Sequence, residues 1–197
     1  MRVVMPMAIP EVLRFRQRTG ADRFDEMWEG VLHMTPSPSF QHQLQASRIL
    51  SFFVEIWCSR TGGGAVMQLN VSTSDRWDQD YRIPEVSVMK ADRLPQDEVM
   101  FVRPNVVFEV RSPGDEPYDK LAFYADVGVE AVVVVERDTK AVQVFGLSRG
   151  TFLLLPPCDS GWTLIEPIDV EVRTQSTGSG PMLHLRLRGA QETDRAI

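Results

Sequence analysis

Hydrophobic positions along the chain recur with two periods, and each period predicts one type of element. Between residues 40 and 60 the apolar side chains come mostly three and four positions apart, which indicates a long helix with one buried face. Residues 131–136, A-V-V-V-V-E, form a continuous apolar run, which is typical of a strand covered on both faces. The chain therefore combines amphipathic helices with buried strands.

The central part of the chain predicts a strand, a helix and a second strand in succession. Residues 105–111 form a strand, residues 118–127 a helix, and the run at 131–136 the second strand. Strands joined by such a crossover lie parallel. The fold class is α/β, with a central mixed β-sheet that has helix 40–60 on one face and helix 118–127 on the other. Two further strands of this sheet are predicted at residues 65–71 and 83–89.

The N-terminal part predicts a helical arm and a hairpin. A short helix starts with proline and ends before Gly20, within an arm that we place at residues 1–22. Its arginines do not share one helical face, so we interpret them as a solvated surface. Glu29 and Gly30 then separate two short apolar runs, which indicates an N-terminal hairpin with Glu26 in its first strand.

The C-terminal part predicts a smaller antiparallel extension of the same sheet. Three short apolar runs are separated by turn residues, at 142–147, 151–155 and 161–165. Residues 174–197 predict a loop over 174–181, an edge strand and a flexible tail. We expect residues 1–197 to form a single domain.

Composition narrows the class of protein. The chain is 43% hydrophobic and 24% charged, and no apolar run approaches the roughly 20 residues that a membrane helix needs. Cys58 and Cys158 are far apart and form no C-x-x-C motif, so we expect two buried free thiols in a cytoplasmic protein without a membrane segment. The net charge of −6 argues against coating nucleic acid through bulk electrostatics, but it does not exclude a nuclease.

Two glutamates inside apolar strands are the main functional signal. Glu109 lies within V-V-F-E-V and Glu85 within I-P-E-V-S-V-M. Burial of an unpaired carboxylate is costly, so each needs a cation, a metal or water as a partner. Strand alternation places Glu109 with Arg111 on one face and Glu85 with Ser87 on one face, and neighbouring strands could bring the two carboxylates together. Two carboxylates and a backbone carbonyl would suit Mg2+ or Mn2+.

A lysine follows the second glutamate closely. Lys120, at the start of the predicted helix, could polarise a water near such a metal and offset the charge that grows on a phosphoryl oxygen. Two plain interpretations remain open. Glu109 could form a structural ion pair with Arg111 or Lys120, and Glu85 could be a strand-end residue that faces solvent.

At these residues the chain resembles the Uma2 family of the PD-(D/E)XK restriction-endonuclease-like superfamily, over roughly Arg23 to Leu147. The shared pieces keep the family's order and spacing. They are F-D-E-M-W-E-G-V-L-H-M-T-P-S-P, Q-H-Q in the following helix, R-I-P-E, F-E-V-R-S-P and K-L-A-F-Y-A-D-V-G-V. The family has an aspartate where this chain has Glu85.

The resemblance implies a restriction-endonuclease-like core and a set of site residues. Glu85 and Glu109, with the backbone carbonyl of Val110, would hold the metal, Lys120 would be the catalytic lysine, and Glu26 an additional acidic residue. His42, from the Q-H-Q piece, would be an accessory phosphate-binding residue. Independently of the resemblance, we add Arg111, which shares the strand face of Glu109 and stands where the family usually has an apolar residue, and Tyr124, four residues after Lys120.

The implied function is a Mg2+-dependent endonuclease, with Mn2+ as the alternative ion, that hydrolyses phosphodiester bonds in DNA through a metal-activated water. Cleavage of both strands of a duplex would favour a homodimer. The alternatives are a catalytically inactive protein of the same fold that serves as a binding or scaffold module, and a hydrolase of RNA or another phosphoester.

Overall fold

The computed structural model describes residues 3–5, 10–115, 117–178 and 180–197, with the backbone alone at 3–5. Its largest sheet has six strands in the order β4-β5-β6-β7-β8-β9. These strands are β4 (Gly64–Met67), β5 (Val86–Met89), β6 (Val106–Arg111), β7 (Ala131–Glu136), β8 (Val142–Ser148) and β9 (Thr151–Leu155). The smaller sheets contain β1 (Val3–Met5), β2 (Glu26–Trp28) and β3 (Val31–Met34), and β10 (Thr163–Ile165), β11 (Val170–Thr177), β12 (Gly180–Leu187) and β13 (Arg195–Ala196).

The helices lie mainly in the first two thirds of the chain. They are α1 (Pro10–Thr19), α2 (Phe40–Phe52), α3 (Ser59–Thr61) and α4 (Leu121–Asp126), with 3-10 turns at Ala91–Arg93, Pro117–Lys120, Glu166–Ile168 and Gln191–Thr193. Among the helices in these described ranges, none is long and apolar enough to cross a membrane.

The six-stranded sheet is mixed, as the sequence predicts. β6 and β7 run parallel, in a register that pairs Val106 with Ala131 and Arg111 with Glu136. The other neighbouring pairs are antiparallel. The strand, helix and strand predicted between residues 105 and 136 are therefore confirmed, although a 3-10 turn replaces the first residues of the predicted helix.

Alternate residues of β6 face two separate apolar layers. Phe108 packs in a core with Phe53 from the long helix, while Val107 packs with Phe123 and Tyr124 from α4. Because side chains of a strand alternate between faces, the apolar run of β6 fills both layers. The prediction of one helix on each face is confirmed.

The long helix predicted at residues 40–60 contains a π-helical segment. α2 continues into a π-helix at Phe53–Cys58 and then into α3. Trp57, inside the π-helical segment, donates a 2.8 Å hydrogen bond from Nε1 to the carbonyl of Ile168. The wider turn thus directs a large side chain toward the C-terminal part of the chain.

The N-terminal hairpin is present as predicted. β2 and β3 pair across a turn in which Glu29 and Gly30 have positive φ, and Glu26 starts β2. α1 is the helix predicted to end before Gly20, and β1 adds a third strand to the hairpin. The rest of the predicted helical arm, residues 1–2 and 6–9, lies outside the described residues.

The strand expected from residue 83 is shorter than predicted. β5 begins at Val86, so Ile83 and Glu85 precede it. Pro84 has no N–H to donate to a sheet ladder, which accounts for the late start. The strand expected over 65–71 likewise ends at Met67, and Val71 forms isolated bridges instead.

The C-terminal part differs most from the prediction. The third run, expected in the central sheet, is β10 of a separate four-stranded sheet, and the loop expected at 174–181 is largely paired between β11 and β12. β12 lies between β11 and β13 and is not an edge strand. The expected flexible tail includes β13 and the buried Ile197. The alternating apolar residues of these strands pack in the same core as α2. This packing explains why the segment is regular structure and not a loop and a tail.

Candidate active site

Lys120 lies between two buried carboxylates. Its ammonium is 3.0 and 3.1 Å from the two carboxylate oxygens of Glu109, and 2.8 Å from Oε1 of Glu26. Glu109 comes from the central strand β6, Glu26 from the hairpin strand β2, and Lys120 from the 3-10 turn before α4. Two consecutive elements and the distant N-terminal hairpin therefore supply one buried ion-pair network.

Neighbouring donors fix both carboxylates. The hydroxyl of Tyr124 donates a 2.5 Å hydrogen bond to Glu109 Oε1. Glu26 accepts from the indole N–H of Trp28 at 2.8 Å and from the backbone N–H of Ile83 at 2.9 Å. Each acidic group thus has donors other than the lysine, which holds its carboxylate in one orientation.

Glu85 occupies the more open side of the same region. Its Oε1 lies 2.8 Å from His42 Nε2, and its Oε2 accepts the backbone N–H of Val110 at 2.9 Å. This backbone group directly follows Glu109, so the two carboxylates lie on neighbouring backbone segments, just before β5 and near the end of β6. The Glu85 side chain is 17% exposed, against 5% for Glu109.

The cluster contains more acidic than basic groups. The pKa of Glu109 is raised to about 8, chiefly by burial and also by the charges of Glu85 and Glu26, against the opposing charge of Lys120. Burial alone would lower the pKa of Lys120, but the three carboxylates outweigh it and the lysine pKa is raised. A cluster of three carboxylates and one lysine therefore holds an extra proton or attracts another cation.

Glu85 behaves differently from Glu109. Burial would raise its pKa, but the hydrogen bond and charge of His42, with Lys120 as a further contributor, bring the pKa of Glu85 below its usual value. Burial and the adjacent Glu109 raise the pKa of Tyr124 well above the ordinary value, so its hydroxyl remains a proton donor. The two strand carboxylates consequently favour different protonation states.

Arg111 does not join the cluster. Its guanidinium lies 2.7 Å from Glu136 Oε1 and donates to the backbone carbonyl of Asp115. Of the two ion-pair partners considered for Glu109, the structure places Lys120 there and directs Arg111 to the neighbouring strand. The contact of Arg111 with phosphate stays a prediction. It requires the Arg111 guanidinium either to break its ion pair with Glu136 or to bind the phosphate in addition to Glu136.

Two supporting residues were not anticipated from the sequence. Ser112 places its hydroxyl 3.2 Å from His42 Nδ1. Arg82 stacks between the rings of Trp28 and Phe123, with its guanidinium carbon 4.2 and 4.1 Å from their centroids, and so connects β2 to α4. Strand alternation puts Glu26 and Trp28 on the same face, so the sequence could have suggested the hydrogen bond between them. No local pattern in the sequence relates His42 to Ser112.

The donor chemistry fits a hard divalent cation. Within the described part of the chain, no group of three or more His, Cys, Asp or Glu side chains is arranged to hold a metal. The predicted ligand set has only two side chains, Glu85 and Glu109, together with a backbone carbonyl. Both are carboxylates, which Mg2+ and Mn2+ prefer, and the excess of negative charge around Lys120 favours a cation. The donor set is therefore compatible with one divalent ion, provided that the present hydrogen bonds rearrange.

Fold and site together define an α/β protein of the restriction-endonuclease-like class. The chain belongs to the Uma2 family, described as "Putative restriction endonuclease", whose sequence model matches residues 10–176. Among solved structures, it is similar to a protein from Anabaena variabilis ATCC 29413 titled as a putative nuclease belonging to DUF820. That similarity has 18% sequence identity and a TM-score of 0.56, and it covers 69% of this chain and 82% of the other. No curated protein matches the chain.

Proposed function

We propose that this protein is a metal-dependent nuclease that hydrolyses phosphodiester bonds in DNA. The family membership and the fold support a nuclease in general. The observation that carries the proposal is the convergence of the buried Glu26 and Glu109, with the partly exposed Glu85 beside them, on the single lysine Lys120. Burial of excess acidic charge destabilises a protein unless a cation compensates it, so such a cluster is typical of a functional site.

The metal-binding residues in this proposal are Glu85, Glu109 and the carbonyl of Val110. A divalent ion bound there, Mg2+ or Mn2+, would supply Lewis acidity and lower the pKa of a bound water. Glu85 suits this role because it is already ionised and is the more exposed of the two carboxylates. Glu109 is held in place by Tyr124 and Lys120.

Lys120 acts in the proposal as the cation that faces the reacting phosphate. Lys120 stays protonated and positively charged at neutral pH, because the surrounding carboxylates raise its pKa. An ammonium fixed beside the reacting group stabilises the negative charge that develops on phosphoryl oxygens. Glu26 holds the lysine from the other side at 2.8 Å, and we assign Glu26 this orienting role.

The proposal also includes three residues that contact the phosphate and a homodimeric assembly. His42, Tyr124 and Arg111 are placed as auxiliary groups around the phosphate. A homodimer would allow two sites to cut the two strands of a duplex. Cys58 and Cys158 are free thiols, but Cys58 is only partly buried and Cys158 is exposed, so the expectation that both are buried is wrong. Free thiols persist in a reducing cytoplasm, where we place the protein.

A second candidate function is a non-catalytic binding or scaffold protein of the same fold. The specific observation in its favour is that both oxygens of Glu85 and both oxygens of Glu109 already interact with protein donors. A fully paired network can be retained for structure alone. The two functions differ in whether a divalent cation binds and whether a phosphoester is cut.

The test is a cleavage assay with supercoiled plasmid, linear duplex, single-stranded DNA and RNA, each in Mg2+, Mn2+ or EDTA. We expect cleavage of DNA with a divalent ion and none in EDTA. Glu109→Gln, which keeps the shape of the side chain, should abolish cleavage, and Lys120→Met should reduce it by about 100-fold. Circular dichroism confirms that each variant is folded.

The matched control is Glu130→Gln, since Glu130 is a partly exposed carboxylate paired with Arg93 on another part of the surface. It should cleave like the natural protein. Cleavage that survives in Glu109→Gln would indicate a contaminant. Absence of both cleavage and a metal-induced rise in melting temperature would favour the scaffold function, and cleavage of RNA alone would change the substrate.

A further inference from the structure

Two consecutive hydrogen bonds connect Ser112 to Glu85 through the ring of His42. Nδ1 of His42 lies 3.2 Å from the Ser112 hydroxyl, and Nε2 lies 2.8 Å from Oε1 of Glu85. His42 is only 7% exposed, so water offers its ring nitrogens little alternative. Both nitrogens are thus occupied, and a contact of His42 with phosphate requires one of the two bonds to break.

The contact with Glu85 determines which ring nitrogen of His42 carries a hydrogen. The carboxylate of Glu85 also accepts the backbone N–H of Val110, and its pKa lies below the usual value, so at neutral pH it is ionised and only accepts. Nε2 of His42 is therefore the N–H donor. In the neutral imidazole Nδ1 then has a lone pair, and the group that donates to it is the Ser112 hydroxyl.

Ordered backbone holds both Ser112 and His42. Ser112 directly follows β6, where its backbone N–H donates to Oδ2 of Asp115 at 2.9 Å and its carbonyl accepts the N–H of Asp115 at 3.0 Å. The side chain of Ser39 caps α2 and accepts the backbone N–H of His42 at 3.3 Å. The imidazole therefore points at Glu85 from two fixed supports.

The two donors to Glu85 hold its carboxylate in one orientation. Oε1 faces His42, and Oε2 accepts from the backbone of Val110 at 2.9 Å. The lone pairs that these bonds leave free then point in one direction. A ligand that is ordered before the ion arrives loses less conformational freedom on binding, so hydrogen bonds to a metal-binding carboxylate raise the affinity for the metal.

We propose that Ser112 is a positioning residue for the cation site. Through His42, its hydroxyl keeps the Glu85 carboxylate in the orientation that receives a divalent ion. This inference rests on the proposed function, in which Glu85 is a metal ligand. Ser112 touches neither the ion nor the substrate in this role, because its hydroxyl acts on the far side of the imidazole ring.

The first test measures Mn2+ binding by isothermal titration calorimetry. Ser112→Ala should raise the Kd for Mn2+ about tenfold, because Nδ1 of His42 loses its partner and the ring no longer holds Glu85. Ser112→Thr keeps a hydroxyl and should bind Mn2+ within about twofold of the natural protein. Circular dichroism confirms that each variant is folded.

A second readout needs neither metal nor cleavage. Long-range 1H–15N NMR spectra of histidine-labelled protein report which ring nitrogen carries a hydrogen, and His42→Gln identifies the signals of His42. At a pH where the spectrum shows neutral imidazole, the natural protein should contain the Nε2–H form alone. Ser112→Ala should contain a mixture of both forms. A natural protein in the Nδ1–H form would overturn the inference.

Ser87→Ala is the matched control. Ser87 is fully buried in β5, two positions from Glu85, and its hydroxyl has no hydrogen-bond partner among the residues that the structure describes. The Kd of this variant for Mn2+ should stay within about twofold of the natural value. Equal Kd values for Ser112→Ala and the natural protein would overturn the inference. Equal losses in Ser112→Ala and Ser87→Ala would also overturn it, because the packing of the sheet would then be responsible.

The inference and the nuclease proposal fail in different ways. Weaker Mn2+ binding in Ser112→Ala, with no cleavage of any nucleic acid by the natural protein, would support the positioning role and contradict the nuclease. Metal-dependent cleavage, with a Kd for Mn2+ that Ser112→Ala leaves unchanged, would contradict the positioning role alone. A natural protein that binds neither Mn2+ nor Mg2+ would overturn both.

Discussion

The ammonium of Lys120 donates to both carboxylate oxygens of Glu109, at 3.0 and 3.1 Å, while it also lies 2.8 Å from Glu26. One buried cation thus contacts two buried carboxyl groups, of which Glu109, with its pKa raised to about 8, keeps a proton at neutral pH. Both the stability of the fold and the proposed cleavage reaction depend on Lys120. Experiments can separate the two effects, because only the cleavage reaction needs a divalent ion.

Replacement of Lys120 by methionine should lower the free energy of unfolding by about 3–5 kcal/mol at neutral pH. The loss arises because the Glu26 carboxylate would remain buried without its cation. Urea denaturation measures the change. The double variant Glu26→Gln with Lys120→Met should recover part of the loss, and a single variant as stable as the natural protein would contradict the ion-pair network.

The metal-free protein should lose stability as the pH rises from about 5 to 8. Burial raises the pKa of Glu109 from 4.5 to about 8, so in this window the folded state keeps a proton that the unfolded state has released. The folded state then binds more protons, and the free energy of unfolding falls with increasing pH. Thermal melts in EDTA measure this slope. The slope should be flatter in Glu109→Gln, and identical slopes would show that another group is responsible.

Replacement of Glu85 by aspartate should weaken the site. The longer side chain bonds both His42 and the backbone N–H of Val110, and a side chain one methylene shorter cannot hold both bonds unchanged. We expect Mn2+ affinity to fall about tenfold by isothermal titration calorimetry. Tighter Mn2+ binding in Glu85→Asp would mean that the natural glutamate is poorly placed for the metal.

Substitution of Gly63 by alanine should destabilise the fold by about 1–3 kcal/mol. A Cβ at this position would lie 2.3 Å from the ring of Trp57 and 2.6 Å from the backbone oxygen of Met89, so the packing must shift. Gly178→Ala is the control, since a Cβ there meets nothing within 4 Å. Urea denaturation compares the two, and equal losses would contradict the packing argument.

Local pattern was sufficient for the elements around the site. The apolar run of residues 131–136 specified β7, and the period of residues 40–60 specified the long helix, because strand and helix periods depend on neighbours in the chain. The position of Glu109 within an apolar strand likewise predicted, from the sequence alone, a buried carboxyl group with a cationic partner. The same local reasoning failed at residues 174–197, where β11, β12 and β13 form through pairing with one another.

The tertiary structure decided which charged groups meet. Glu26 and Lys120 are 94 positions apart, and His42 and Glu85 are 43 apart, so no local period relates the members of either pair. Strand alternation predicted that Arg111 lies on the same face as Glu109. The parallel register of β6 and β7 instead pairs Arg111 with Glu136, and the two side chains form an ion pair. The sequence by itself therefore determined that one carboxylate, that of Glu109, is buried in the central sheet. Long-range packing determined their partners, because side-chain contacts depend on the arrangement of whole elements in space.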